Sequence, residues 1–91
     1  MLTEETILQI LAILKEHGCS ETYLFGSNAL GIADEYSDID IGVKGLAPQK
    51  FFFVHSLLED ITQKPVDLVD FDEKEKFFSM LERLGELKRI G

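Results

Sequence analysis

The sequence predicts a small α/β (α+β) domain: a mixed sheet of about three strands with helices packed on one side. Segments with helical apolar spacing alternate along the chain with short segments of strand-like alternation, which is typical of this class. The 91 residues suffice for one core, so we expect residues 1–91 to form a single domain. The composition, 45% hydrophobic and 29% charged, is ordinary for a globular protein.

Helices are predicted at 3–17, at 28–31 (a brief turn), at 48–62 and from 72 to about 89. In the first, apolar residues recur at i, i+3, i+4 and i+7 from Ile7 onward, and Thr3 is a suitable N-cap. Pro48 is suited to the opening of the third helix. Asp72, followed three residues later by Glu75, resembles a capping box and predicts the start of the last helix.

Strands are predicted at 21–25, 38–43 and 66–70. In the middle strand, Ile39, Ile41 and Val43 share one face, which belongs to a core. Asp38 and Asp40 lie on the opposite face. Since Asp is depleted within strands, two of them in one short strand indicate a function rather than a solvated surface.

Asp38, Asp40 and Asp67 are the candidate metal ligands. Carboxylates at i and i+2 on one strand face can converge on one metal or bracket a pair, and a third ligand is usually needed. Asp67 belongs to the next strand, on the face opposite Val66 and Leu68. Carboxylates together with phosphate oxygens suit Mg²⁺. The alternative for each of these acids is a polar strand residue facing solvent.

Gly26 and Ser27 form a candidate phosphate site, ten residues before the Asp-x-Asp motif. Glycine lets the backbone approach a phosphate closely, and consecutive N–H groups at such a turn can bind an anion. Because Gly-Ser is common in turns, the pair is informative only through its spacing from Asp38.

Charge and composition exclude several other classes. A net charge of −8 argues against binding a nucleic-acid polymer, which needs a basic face. Neither a membrane-spanning run nor a signal peptide is apparent, so we expect a cytoplasmic protein that does not bind membranes. Cys19 is the single cysteine, which excludes an intrachain disulfide. Neither His17 nor His55 belongs to a recognisable hydrolase motif.

Phe51, Phe52 and Phe53 are consecutive in a predicted helix. Successive helical residues point about 100° apart, so the three rings cannot all face one core. We expect this region to contact a partner or to form a homo-oligomer, the alternative being a wide apolar face covered by Lys50.

The motifs described above resemble the nucleotidyltransferase fold of the DNA polymerase β type, and within it the minimal nucleotidyltransferases (MNT). They read Leu24-Phe25-Gly26-Ser27, Ser37-Asp38-Ile39-Asp40-Ile41-Gly42-Val43 and Val66-Asp67-Leu68-Val69. The order of predicted elements also fits, so the resemblance covers nearly the whole chain.

The resemblance implies an enzyme that transfers a nucleoside monophosphate, such as AMP from ATP or the equivalent from another NTP, to a hydroxyl. Asp38, Asp40 and Asp67 would be the catalytic residues and the ligands of a two-Mg²⁺ site. Gly26 and Ser27 would hold the terminal phosphates of the nucleotide. Many members are antitoxins encoded beside a HEPN-domain toxin, and some silence it by adding AMP to a tyrosine, so a HEPN-type partner is expected.

The chain departs from the family pattern at one place. The family often has Gly-Ser-Arg-Ala-Arg-Gly, whereas this chain has Gly26-Ser27-Asn28-Ala29-Leu30-Gly31. Because arginine makes strong contacts to phosphate, another cation would have to replace both, either Lys44 or a partner's side chain. The loss favours the alternative function, a non-catalytic binding module of the same fold that neutralises a partner protein by contact. The three retained acids favour the enzyme.

Overall fold

The computed structural model describes residues 2–34 and 36–91, which form a four-stranded sheet with helices on both faces. The elements are, in order, α1 (Glu4–Glu16), β1 (Glu21–Phe25), α2 (Ser27–Leu30), β2 (Ile39–Lys44), α3 (Phe51–Thr62), β3 (Val66–Asp70), α4 (Glu75–Leu84) and β4 (Leu87–Arg89). A 3₁₀ turn at Pro48–Lys50 precedes α3. Thr3 caps α1 as predicted, since its side chain accepts the Thr6 N–H at 3.1 Å.

The strand order is β3-β2-β1-β4. The β2 and β3 strands are parallel and are connected by α3, whereas β1 runs antiparallel to both β2 and β4. The mixed sheet is confirmed, with one strand more than the three expected. In this order β3 and β4 are the two edge strands.

The larger core lies between the sheet and the helices α1 and α3. The sequence predicted helices packed on one side, and the structure adds α4 on the opposite face. The apolar periodicity of both helices is directed at this layer, and the alternating isoleucines and valine of β2 meet it. Its fully buried members include Ile10, Leu14, Ile41, Val43, Val54 and Leu58.

A second, aromatic core covers the opposite face of the sheet beneath α4. Its centre is Phe71, which is fully buried just after β3. Four further rings lie with their centroids 5.1–6.2 Å from that of Phe71, namely Tyr23, Phe25, Phe77 and Phe78. These separations are those of favourable aromatic pairs.

The predicted last helix is wrong at both ends. It starts at Glu75 rather than Asp72, whose Oδ2 instead accepts the Gly45 N–H at 2.7 Å. It ends at Leu84, because Gly85 adopts the left-handed conformation (φ 71°) that closes a helix. The chain then continues into β4, which pairs with β1.

No helix in the part of the chain that the structure describes is both long enough and apolar enough to span a membrane.

Candidate active site

Asp40 and Asp67 are direct partners in the parallel pairing of β2 with β3. Their neighbours Ile39, Ile41 and Leu68 belong to the larger core, so the two aspartates lie on the opposite face of the sheet. Asp38 immediately precedes β2. The structure thus pairs two of the acids that the sequence indicated, Asp40 and Asp67, and places Asp38 two residues before Asp40, with Asp40 half-buried and the other two exposed.

The electrostatics of Asp40 reflect this crowding. Burial raises the pKa of its carboxyl, and the negative charges of Asp67 and Asp38 raise it further. A carboxylate whose ionised form is disfavoured in this way would gain from a nearby cation.

Gly26 is required next to Asp40. It has φ 63° and ψ −138°, a conformation available mainly to glycine. A Cβ at this position would lie 2.9 Å from Oδ2 of Asp40. The Gly26 N–H donates to the Glu86 carbonyl at 3.2 Å, which holds the loop in place but occupies that donor. The Ala29 N–H also donates within the turn, to the Gly26 carbonyl at 3.1 Å, so the phosphate donors at this turn are reduced to Ser27 and the N–H of Asn28.

Asn28 is a site residue that the sequence reasoning overlooked. Its Oδ1 accepts the backbone N–H of Asp40 at 2.8 Å, which fixes the start of β2 relative to the Gly26–Ser27 turn. The available signal was an amide side chain in the first turn of a short helix directly after Gly-Ser. In the sequence, position 28 stands out only because it lacks the family's arginine.

Two features of a fully formed triphosphate site are not present among residues 2–34 and 36–91. No three acidic, histidine or cysteine side chains there lie close enough together to form a ready-made metal site. Lys44, one candidate to replace the family's arginines, is four residues beyond Asp40 on β2, about 13 Å away. Its Nζ lies 4.0 Å from the centroid of the Phe78 ring, where it caps the aromatic core.

The three consecutive phenylalanines are divided between core and surface, as helix geometry predicts. Phe51 is half-buried and packs on the larger core, whereas Phe52 and Phe53 are 78% and 58% exposed. The Phe53 ring meets His17 edge-on, with 5.7 Å between centroids.

A sequence profile described as "Polymerase beta, Nucleotidyltransferase" matches residues 8–85, which include all five predicted site residues. No curated protein sequence gives a significant match.

Several solved structures share the fold. A chain of a toxin–antitoxin complex with AMP-PNP is 26% identical with a TM-score of 0.75, and the match covers 97% of this chain and 72% of that one. A chain of a mutant MntA–HpeT toxin–antitoxin complex is 25% identical with a TM-score of 0.77, covering 100% and 73%. A chain of the tri-AMPylated HEPN toxin in complex with MNT antitoxin from Shewanella oneidensis is 26% identical with a TM-score of 0.59, covering 78% and 57%.

Proposed function

Because this chain belongs to the polymerase β nucleotidyltransferase family, we propose that it transfers AMP from ATP to a hydroxyl acceptor. The observation that carries the proposal is the pairing of Asp40 with Asp67 across two parallel strands. Asp38 precedes the first strand, and the Gly26 turn packs against the carboxylate of Asp40. The proposal is supported by the proximity of these acids and the glycine turn near one end of the sheet.

The donor set fits Mg²⁺. The residues that would hold it are Asp38, Asp40 and Asp67, all carboxylates. Burial and then the charges of Asp67 and Asp38 raise the pKa of Asp40, and a divalent cation would relieve the repulsion among these charges. Because the three side chains are not gathered in advance, they would turn toward the metal as metal-bound nucleotide arrives. When bound, Mg²⁺ supplies charge neutralisation of the triphosphate.

The remaining work falls to the chain's own groups. The hydroxyl and N–H of Ser27 contact the terminal phosphates, and Asn28 keeps Asp40 in register with that turn. Asp67 is exposed and can orient the acceptor hydroxyl and take its proton. The acceptor oxygen bonds to the α-phosphorus, the bond from that phosphorus to the bridging oxygen breaks, and pyrophosphate leaves.

We further propose that the acceptor is a tyrosine of a HEPN-type toxin. The support is similarity to chains of toxin–antitoxin complexes, one described with AMP-PNP and one with a tri-AMPylated HEPN toxin. With Lys44 engaged at Phe78, the cation that replaces the family's arginines comes from the partner. This also makes transfer depend on the partner being bound.

The test is label transfer from α-labelled ATP with Mg²⁺ to a purified HEPN-family partner. Asp40→Asn should abolish labelling, whereas Asp60→Asn, a matched loss of one exposed charge on α3, should not. Labelling by both variants at the wild-type rate would refute the assignment of the site.

The second candidate is a non-catalytic module that neutralises its partner by contact. It is favoured by the acids not being gathered and by the missing arginines. In that case Asp40→Asn would bind and neutralise the partner as well as the wild type, and no label would be transferred by either.

A further inference from the structure

Over a short stretch, the backbone groups on the outer edge of β3 have no hydrogen-bond partner among the residues that the structure describes. Ile39 N–H donates to Pro65 O at 3.0 Å and Phe71 N–H donates to Val43 O at 2.9 Å. In a parallel pair alternate residues direct both backbone groups to the same side, so the odd-numbered residues from 65 to 71 face β2. Val66, Leu68 and Asp70 therefore direct their backbone groups away from the sheet.

Side chains of α3 close this edge at one end. His55 Nε2 donates to the Val66 carbonyl at 2.6 Å, and Glu59 Oε2 accepts the Val66 N–H at 2.9 Å. At the other end the Asp70 carbonyl accepts the N–H groups of Glu73 and Lys74. Between them, the N–H and C=O of Leu68 and the N–H of Asp70 have no partner in the described part of the chain.

These open groups lie in a cleft of about 350 Å³. One wall is formed by Phe51 and Phe52, the latter 78% exposed, and the other by Glu73 and Lys74. The cleft is separate from the acids, since Asp67 does not line it. However, Asp67 directly precedes Leu68 on the same strand, so the backbone of Asp67 is one residue, about 3.3 Å, from the start of the cleft.

We propose that this cleft, the β3-edge groove, binds the acceptor segment of the partner protein as an added strand. The inference rests on the proposed function, and it assigns the surface that delivers the acceptor. Leu68 and Asp70 offer three backbone groups that are unpaired among the described residues. An extended segment can form hydrogen bonds with all three, whereas a helix, whose own backbone groups are paired, cannot. Because α3 side chains already bond the backbone groups of Val66, the added segment must leave the strand edge there. At that point the segment lies beside Asp67.

The groove also sets the chemistry of the segment. Alternate side chains of a strand point to opposite faces, so one of them meets Phe52 and the next lies on the face that carries Asp67. We therefore expect an apolar residue in contact with Phe52, followed by the acceptor tyrosine on the face that carries Asp67. The groove is lined by two acids, Asp70 and Glu73, and by one base, Lys74. This excess of negative charge, on a chain of net charge −8, favours a basic flanking residue.

A second copy of the chain is a poorer occupant. Antiparallel self-pairing about Leu68 would set Asp70 of each copy opposite Val66 of the other, whose backbone groups are already bonded by His55 and Glu59 of α3. It would also join two chains that each carry a net charge of −8.

The test begins with short random displayed peptides selected on the wild-type chain. Selected peptides should lose affinity about tenfold or more for Phe52→Ala and Glu73→Lys. The matched control is Phe53→Ala, which removes a neighbouring exposed ring outside the groove and should change affinity by less than about twofold. Amide signals of Leu68 and Asp70 in ¹⁵N spectra should shift on binding.

Three results would overturn the proposal: no peptide is selected, binding is insensitive to both groove variants, or the chain forms a dimer that Phe52→Ala dissociates. Labelling from α-labelled ATP separates it from the proposed function. Peptides that bind the groove but whose tyrosine is never labelled would support docking and count against the transferase. A partner labelled equally by wild type, Phe52→Ala and Glu73→Lys would support the transferase and reject the groove.

Discussion

The ring of Phe71 occupies the space that a side chain at position 42 would need. A Cβ on Gly42 would lie 1.9 Å from Cε2 of Phe71, far inside contact distance. Gly42 is itself buried in the middle of β2, and Phe71 is fully buried. The aromatic core can therefore rest on the sheet only because residue 42 has no side chain.

Gly42→Ala should destabilise the fold by about 1–3 kcal/mol, because the ring cannot move aside without disturbing the rings around it. Urea denaturation measures the loss. In a Phe71→Ala background the same substitution should cost much less, since the atoms it would strike are gone. An equal cost in both backgrounds would show that the ring is not the obstacle.

Asp40→Asn should stabilise the metal-free chain while removing transfer. Burial, Asp67 and Asp38 raise the pKa of Asp40, so the stability linked to its protonated form is present below the unfolded value of about 3.8 and is lost as pH rises through the folded pKa. At neutral pH the ionised group opposes folding. The melting temperature of Asp40→Asn at neutral pH should therefore lie above that of the wild type, by a small margin because solvent screens a half-exposed carboxylate.

Two controls belong with that experiment. Mg²⁺ should raise the melting temperature of the wild type more than that of Asp40→Asn, because ligand binding stabilises only the form that binds it. The two proteins should converge in stability at acidic pH. Asp60→Asn should show neither effect, and a similar Mg²⁺ response in all three would contradict the metal assignment.

Asn28→Ala should lower the rate of AMP transfer strongly while lowering the free energy of unfolding only modestly. It removes the acceptor for the part-buried Asp40 N–H, which costs about 1 kcal/mol or somewhat more, and it frees the start of β2 from the Gly26 turn. Hydrogen exchange of the Asp40 amide provides a readout that does not depend on activity. It should accelerate in Asn28→Ala and return toward the wild-type rate in Asn28→Asp, which keeps an acceptor oxygen.

Cys19 should react slowly in the folded chain. Burial, followed by the negative charge of Asp70, raises the pKa of its thiol from 9.0 to about 11. If alkylation follows the thiolate fraction, the native rate at pH 8 should be about a hundredfold below that in urea. The same shift predicts that stability declines as pH rises from about 9 to about 11, less so in Cys19→Ser. Equal alkylation rates with and without urea would contradict the shift.

The sequence predicted most of the elements and the acids of the candidate site, for physical reasons that are local. Period-two alternation placed Asp40 on the face away from the core, and Thr3 marked the start of α1. What it missed depends on contacts distant in sequence. The residues around Gly42 give no local signal that Phe71 will pack on it. The hydrogen bond of Asn28 forms only when β2 lies next to the Gly26 turn.

The error at the last helix has a different cause. The apolar spacing before Leu84 continues plausibly into the residues after it, so periodicity alone extends the helix. Gly85 was the local signal that should have ended it. The three-residue strand that follows is too short for an alternation pattern and is specified by its partner β1.

The bond from Gly26 to the Glu86 carbonyl gives the chain an order of assembly. During synthesis the turn at Gly26 leaves the ribosome sixty residues before the group that anchors it (26 to 86). Closing so long a loop is entropically costly, so the pairing of β4 with β1 forms late. A nascent chain can thus assemble most of the larger core, which includes Ile10, Leu14 and Val54, before the Gly26 turn is fixed, so the candidate site is completed only after residue 86 has been made.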